Sequence, residues 1–238
     1  MRIERMSVGL SRLTRASKKA RTRERILANA IALFSDRGIR RTRLAEVASA
    51  SQISEATLFN YFPTKGRLAE AWVRGEVAAI LARVIADSLD RDGSLRSAIR
   101  AACREIAGIS ILEPALRFEA WQEVGRAVGT PQTEEGLLAV GLRAEQKRER
   151  VRADIPAVDL AEILQDAIEG GLIAGLRNRV DLGEGTATGA PDEADLFRAI
   201  RSRVDLVLDG FRKRNERVSA PAPRSASLRR ATRPGPRT

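Results

Sequence analysis

Between Ser54 and Lys65 the chain gathers Ser54, Glu55, Thr57, Asn60, Tyr61 and Lys65. These are hydroxyl, carboxylate, amide, phenol and ammonium groups. Each donates or accepts hydrogen bonds, but none is a nucleophile with a base beside it. The chain has no histidine at all, which excludes Ser-His-Asp and Cys-His catalysis and the usual zinc sites. Its single cysteine, Cys103, rules out an intrachain disulfide and a cysteine-built metal centre, and suggests a reducing, cytoplasmic setting. No cofactor and no metal are expected, and an enzyme is disfavoured. The remaining chemistry is recognition, because polar side chains of this kind read base edges and phosphates.

Such groups need rigid elements to aim them. Ile26, Leu27, Ala30, Ile31, Leu33 and Phe34 recur at helical spacing, with Gly38 placed as a C-terminal cap. A short second helix follows over "RLAEVASA", carrying Leu44, Val47 and Ala48 inward. After the turn "SQI", Ser54 is placed as the N-cap of a third helix, "EATLFNYF". Pro63 must end that helix, because the residue before proline avoids helical geometry. Thr64 then caps a fourth helix running towards Asp87. Two short helices joined by a tight turn and backed by a longer one make a helix-turn-helix head. Leu58, Phe62 and Phe59 are expected to pack on the first helix. Ser54, Glu55, Thr57, Asn60 and Tyr61 then face outward, towards a groove wide enough to take a helix.

Charge is unevenly spread over a net +11. Residues 1–25 carry nine Lys/Arg against two Glu, and residues 211–238 carry nine against one. The stretch between is mildly acidic. Basic ends suit polyanions. The tail "SAPAPRSASLRRATRPGPRT" is too rich in Pro, Ser and Arg to build a core. The expected division is a disordered basic arm over 1–20, the head over 21–68, a helical body over 69–217 and a disordered tail over 218–238. No apolar run approaches the roughly 20 residues that span a bilayer, so no membrane partner is expected.

The stretch "ILANAIALFSDRG…TRLAEVASASQISEATLFNYFPTKGRL" resembles the DNA-binding head of the tetracycline-repressor-like (TetR) family of transcriptional regulators. The resemblance rests on Phe34, Gly38, Thr42, Val47-Ala48, Ile53-Ser54, Thr57 to Phe62 and Thr64-Lys65. It implies that Arg41, Thr42 and Arg43 meet phosphates, and that Ser54, Glu55 and Thr57 open a recognition helix. It also makes Asn60 a base or phosphate contact, and Tyr61 and Lys65 phosphate contacts. Capping is the plainer role for Thr42, Ser54 and Thr64. Gln52 stands where the family usually has glycine; a left-handed residue there costs roughly 1 kcal/mol, and its side chain is counted among the DNA contacts. Phe59 replaces a frequent tyrosine.

Beyond residue 90 the pattern predicts only helices: 94–112, 115–129, a long one over 133–155, 157–179 and 192–214. The fold class is therefore all-α, an N-terminal three-helix helix-turn-helix head with a C-terminal helical ligand-binding and dimerisation bundle. By resemblance, the last two helices pair with those of a second copy. Leu164, Ile168, Gly171, Leu172, Ile200, Val204, Val207 and Phe211 are the interface candidates. An effector pocket among the middle helices is implied by the same resemblance, with Cys103, Leu112, Phe118, Trp121 and Leu138 as walls and Gln122, Glu119 and Arg117 as polar handles. The resulting expectation is a cytoplasmic homodimer that represses from a palindromic double-stranded DNA operator and leaves it on binding a small-molecule effector. The alternative is a helical protein that binds polyanions or membrane surfaces nonspecifically through its basic tails.

Overall fold

The computed structural model describes residues 2–91, 93–126, 136–180 and 192–211. The basic tail over 218–238 and nearly all of the loop over 180–191 lie outside the described residues. Within them the chain is helical, in the order α1 (Arg2–Arg37), α2 (Leu44–Ala50), α3 (Glu55–Tyr61), α4 (Lys65–Asp90), α5 (Leu95–Ser110), α6 (Pro114–Arg126), α7 (Leu137–Lys147), α8 (Ala157–Val180) and α9 (Glu193–Gly210).

The head forms as its residues dictate. Ile26, Ala30 and Phe34 of α1 are fully buried against Val47 and Ala48 of α2 and Leu58 and Phe62 at α3. Gly38 closes α1 at φ +82°, its N–H donating to Phe34 O at 2.8 Å. Only glycine takes that conformation without strain. The Ser54 hydroxyl accepts from Thr57 N at 3.2 Å and so caps α3. Thr64 does the same for α4, accepting from Arg67 N at 3.2 Å. Asn29 ties α1 to the end of α2 through Ala50 O and Ser51 Oγ, both at 3.2 Å.

The body wraps α5, α6 and α7 around α4 and sets α8 against α9. α4 runs unbroken across the boundary drawn at 68/69 and belongs to both parts. One buried ion pair joins it to α8: Arg74 Nη2 meets Glu169 at 2.9 Å. Burial alone would lower the Arg74 pKa, but its bonds to Glu169 and Glu70 outweigh that and raise it.

Three expectations are corrected here. Residues 2–20, read as a disordered arm, continue α1; Arg, Lys, Leu and Ala are good helix formers and no proline interrupts them. The long helix over 133–155 ends instead at Lys147. Glu149 turns left-handed at φ 58°, and Gln146 Nε2 binds the carbonyls of Arg152 and Ile155 at 2.9 and 2.8 Å. Finally, the residues expected at a dimer interface are core. Leu164, Ile168, Ile200 and Val204 are 0% exposed, Leu172 is 1% and Phe211 is 6%; Val207 is half-buried. Gly171 belongs to the seam between α8 and α9, because a Cβ there would lie 2.6 Å from Ile200 Cα. The helical stripes therefore serve the fold within one chain.

Candidate nucleic-acid interface

The seven residues of α3 present two faces. Leu58, with Phe62 just beyond, locks the helix onto α1. Glu55, Ala56, Phe59 and Asn60 are exposed, and Thr57 and Tyr61 are half-buried at the edges. Helical geometry puts Ala56 and Asn60 opposite Leu58, so the outer face is small, polar and able to enter a groove. Gln52 stands at φ 54° in the turn before it, with its side chain exposed. Ser54 is exposed but committed: its hydroxyl caps Thr57 N and shares a 2.8 Å bond with the Thr57 hydroxyl. The Thr57 side chain is thus held in place by Ser54.

Phe59 departs from expectation. Its aromatic character suggests packing on α1, yet it is 45% exposed. The signal lies in the helical wheel, where residue 59 sits about 100° from residue 58. Treating every aromatic as core overlooks it. An exposed aromatic beside Asn60 offers apolar contact to a thymine methyl.

Two residues expected at phosphates make internal bonds in this structure. Thr42 is 1% exposed, and its hydroxyl donates towards Leu33 O at 3.3 Å and Gly38 O at 2.9 Å, closing the end of α1. A buried hydroxyl spent on carbonyls does not reach DNA. Lys65 Nζ donates to Ile39 O and Arg40 O, each at 3.1 Å. Glu119 of α6 grips the same two residues from the other side: its carboxylate accepts from Ile39 N at 3.2 Å and Arg40 N at 2.9 Å. Gln122 adds an acceptor to Arg40 Nη2 at 3.1 Å. The turn feeding α2 is therefore held by an ammonium on its carbonyls and a carboxylate on its amides. Arg41 and Arg43 leave that turn exposed. Arg43 N donates to Glu46 at 2.7 Å, which fixes the start of α2 while its guanidinium stays outward.

The expected effector-pocket residues lie in different surroundings. Leu112 is 73% exposed in the turn after α5, while Cys103 and Trp121 are plain core at 0% and 3%. Gln122 and Glu119 belong to the clamp on Arg40. Arg117 is buried over the Trp72 ring and bonded to Glu76 at 2.6 Å. Phe118 is half-buried against the core. Leu138 lines a cleft that opens between head and body.

This head has relatives. The profile described as "Bacterial regulatory proteins, tetR family" matches residues 26–72, from Ile26 in α1 to Trp72 in α4. The likeness to that family is therefore one of the head. The chain is also similar to the HTH-type transcriptional regulator LuxR of Vibrio harveyi, at 34% identity over 83 residues. That match takes in 32% of this chain and 40% of the relative, so the chain spans about 40% of that curated relative's length. The whole fold is similar to that of Thermus thermophilus FadR, a TetR-family transcriptional repressor solved with lauroyl-CoA, at a TM-score of 0.56. Identity there is 22%, over 84% of this chain and 98% of the other, and the likeness is one of fold. Among the described residues no helix is long and apolar enough to cross a membrane.

Proposed function

We propose that this chain is a cytoplasmic, sequence-specific DNA-binding regulator that works as a homodimer, represses from a palindromic operator and leaves it when a small-molecule effector binds. The observation that carries the reading is the outer face of α3. Glu55, Ala56, Phe59 and Asn60 are exposed, while Leu58 anchors the helix at 0% exposure. A helix so seated is rigid enough to present side chains to base edges. The exposed guanidiniums of Arg41 and Arg43 supply phosphate contacts beside it.

Dimerisation is supported by the outer faces of α8 and α9, since their inner stripes are spent on the core. Ile163 is 45% and Leu206 is 76% exposed. Large apolar side chains left in water favour burial against a second copy, and two copies read two half-sites. Regulation is supported by the clamp. A shift of α6 moves Glu119, which holds the amides of Ile39 and Arg40 directly before Arg41 and Arg43. Body and head are thus joined through a few bonds that two states of α6 would bias differently.

The test compares the wild-type chain with the variant Glu55→Ala/Thr57→Ala/Asn60→Ala. Fluorescence anisotropy is read on the duplex that the wild type enriches and on a scrambled duplex. The triple variant should lose discrimination by about 100-fold or more, at roughly 1–3 kcal/mol per base contact, and keep its weak scrambled-duplex binding. Retained discrimination would show that α3 does not read the bases.

A further inference from the structure

Where α3 ends, head and body leave a cleft of about 620 Å³ between them. Small-molecule sites run from roughly 300 to 1,000 Å³, so this space suits a ligand better than a few waters. Its head wall is Arg23, Tyr61 and Phe62, and its floor is Ala71 and Ala78 of α4. Leu138 of α7 and Ala161 of α8 close the far side. Small apolar residues on three helices leave a smooth trough rather than an interlocked seam.

The charges along it decide the ligand's polarity. Three guanidiniums (Arg23, Arg67, Arg74) and two carboxylates (Glu70, Glu162) line the cleft. Glu70 is already held by Arg67 at 2.7 Å and Arg74 at 2.8 Å, and Glu169 behind them takes Arg74 at 2.9 Å. The acids of the floor are saturated and offer little to a cation. Arg23 differs: its guanidinium lies 4.8 Å over the Phe62 ring, and no carboxylate pairs with it among the described residues. Tyr61 lies on the same wall. Glu162, exposed on the α8 wall, disfavours an anion at that side and so directs the anionic end to the head.

We propose that this cleft binds an amphiphilic anion, an apolar chain ending in a carboxylate, sulfate or phosphate. The anionic end sits at Arg23 and Tyr61, and the chain lies over Ala71, Ala78 and Leu138. Of the residues expected around the body pocket implied by resemblance, this site takes in Leu138. Its regulatory consequence rests on the DNA-binding reading above. A ligand that engages Tyr61 withdraws it from the phosphate contact expected at the end of the recognition helix, so occupancy and operator binding oppose each other.

The experiment is calorimetry on the full-length chain without DNA, using octanoate, decanoate, decyl sulfate, decanol and decyltrimethylammonium, all as monomers in solution. Decanoate should bind roughly tenfold more tightly than octanoate, from two further buried methylenes. Decyl sulfate should bind like decanoate, and decanol and the ammonium at least tenfold more weakly. Arg23→Gln should weaken decanoate about tenfold and leave decanol unchanged. Ala78→Phe fills the trough at an exposed position, so it should fold normally by circular dichroism and bind none of the anions. Absence of binding by either carboxylate, preference for the ammonium, or binding untouched by Ala78→Phe each overturns the site. If Ala78→Phe instead converts a dimer to monomer in sedimentation, the cleft is a contact between copies and the proposal fails. A second arm adds decanoate to the operator complex. Release that Ala78→Phe abolishes supports the effector role; binding without release upholds the site and overturns that role alone.

Discussion

Replacing Lys65 with methionine separates two roles that sequence and structure assign differently. Methionine keeps most of the stem and removes the ammonium. In the structure that ammonium makes two 3.1 Å bonds to the carbonyls of Ile39 and Arg40. Hydrogen bonds involving a charged partner contribute about 1.5–3 kcal/mol each. Lys65 is half-buried, and holding its long side chain still costs entropy, so a total loss of about 2 kcal/mol is expected. For a chain of this size that lowers Tm by roughly 4–8 °C. The salt dependence of operator binding should stay the same, because the removed charge faces carbonyls rather than phosphate. Were Lys65 bound to a phosphate, the slope of log K against log salt would flatten by about 0.9, the value of one neutralised phosphate. The assays are thermal unfolding by circular dichroism and anisotropy titrations across a salt series. An unchanged Tm with a flattened salt slope would refute the clamp.

Glu119→Gln leaves one acceptor for two amides; backbone exchange at Ile39 and Arg40 should speed up at least tenfold by hydrogen-exchange mass spectrometry, with operator affinity reduced. Protection equal to wild type would remove α6 from the coupling route. Gln52→Gly relieves a left-handed side chain worth roughly 1 kcal/mol, partly offset by glycine's extra freedom in the unfolded chain, so urea denaturation should show a change between zero and about +1 kcal/mol; a clear destabilisation would mean that the Gln52 side chain makes a needed contact. Burial, reinforced by Asp205, pushes the Cys103 thiol up to about 12. At pH 8 it should therefore stay protonated and react with a thiol probe only when the chain unfolds, whereas stoichiometric labelling of native protein would contradict its burial. Above the ordinary thiol value the unfolded chain ionises first, so this group's contribution falls as pH rises from about 9 towards 12. Phe59→Ala should cost operator affinity more than fold stability, since nearly half of the ring is in water; the reverse ranking would return Phe59 to the core.

The head is legible in the sequence because its punctuation is local. Gly38 shows a left-handed cap, Ser54 an N-cap and Pro63 a stop, and each needs only the residues beside it. The helical stripe of α1 likewise follows from spacing. What is not legible depends on contacts far along the chain. Thr42 and Lys65 are polar residues near the DNA-facing turn, and only the fold shows that carbonyls of Leu33, Gly38, Ile39 and Arg40 claim them. Glu119 lies 80 residues from the peptide it holds. The stripes on α8 and α9 are apolar enough for a core or for a second chain, and spacing does not distinguish the two. At Gly171 the missing side chain is what lets Ile200 approach within the same chain. The pocket residues are hidden for a related reason: aromatic and aliphatic side chains look alike whether they fill space or line it.

The most direct measurement is enrichment of bound duplexes from a random library by the purified full-length chain. The account predicts a palindrome with two equal half-sites about one helical turn or more apart, bound by two copies of the chain. Recovery of no motif, with folded protein that still binds every duplex in a salt-sensitive way, would contradict it and favour a nonspecific polyanion binder.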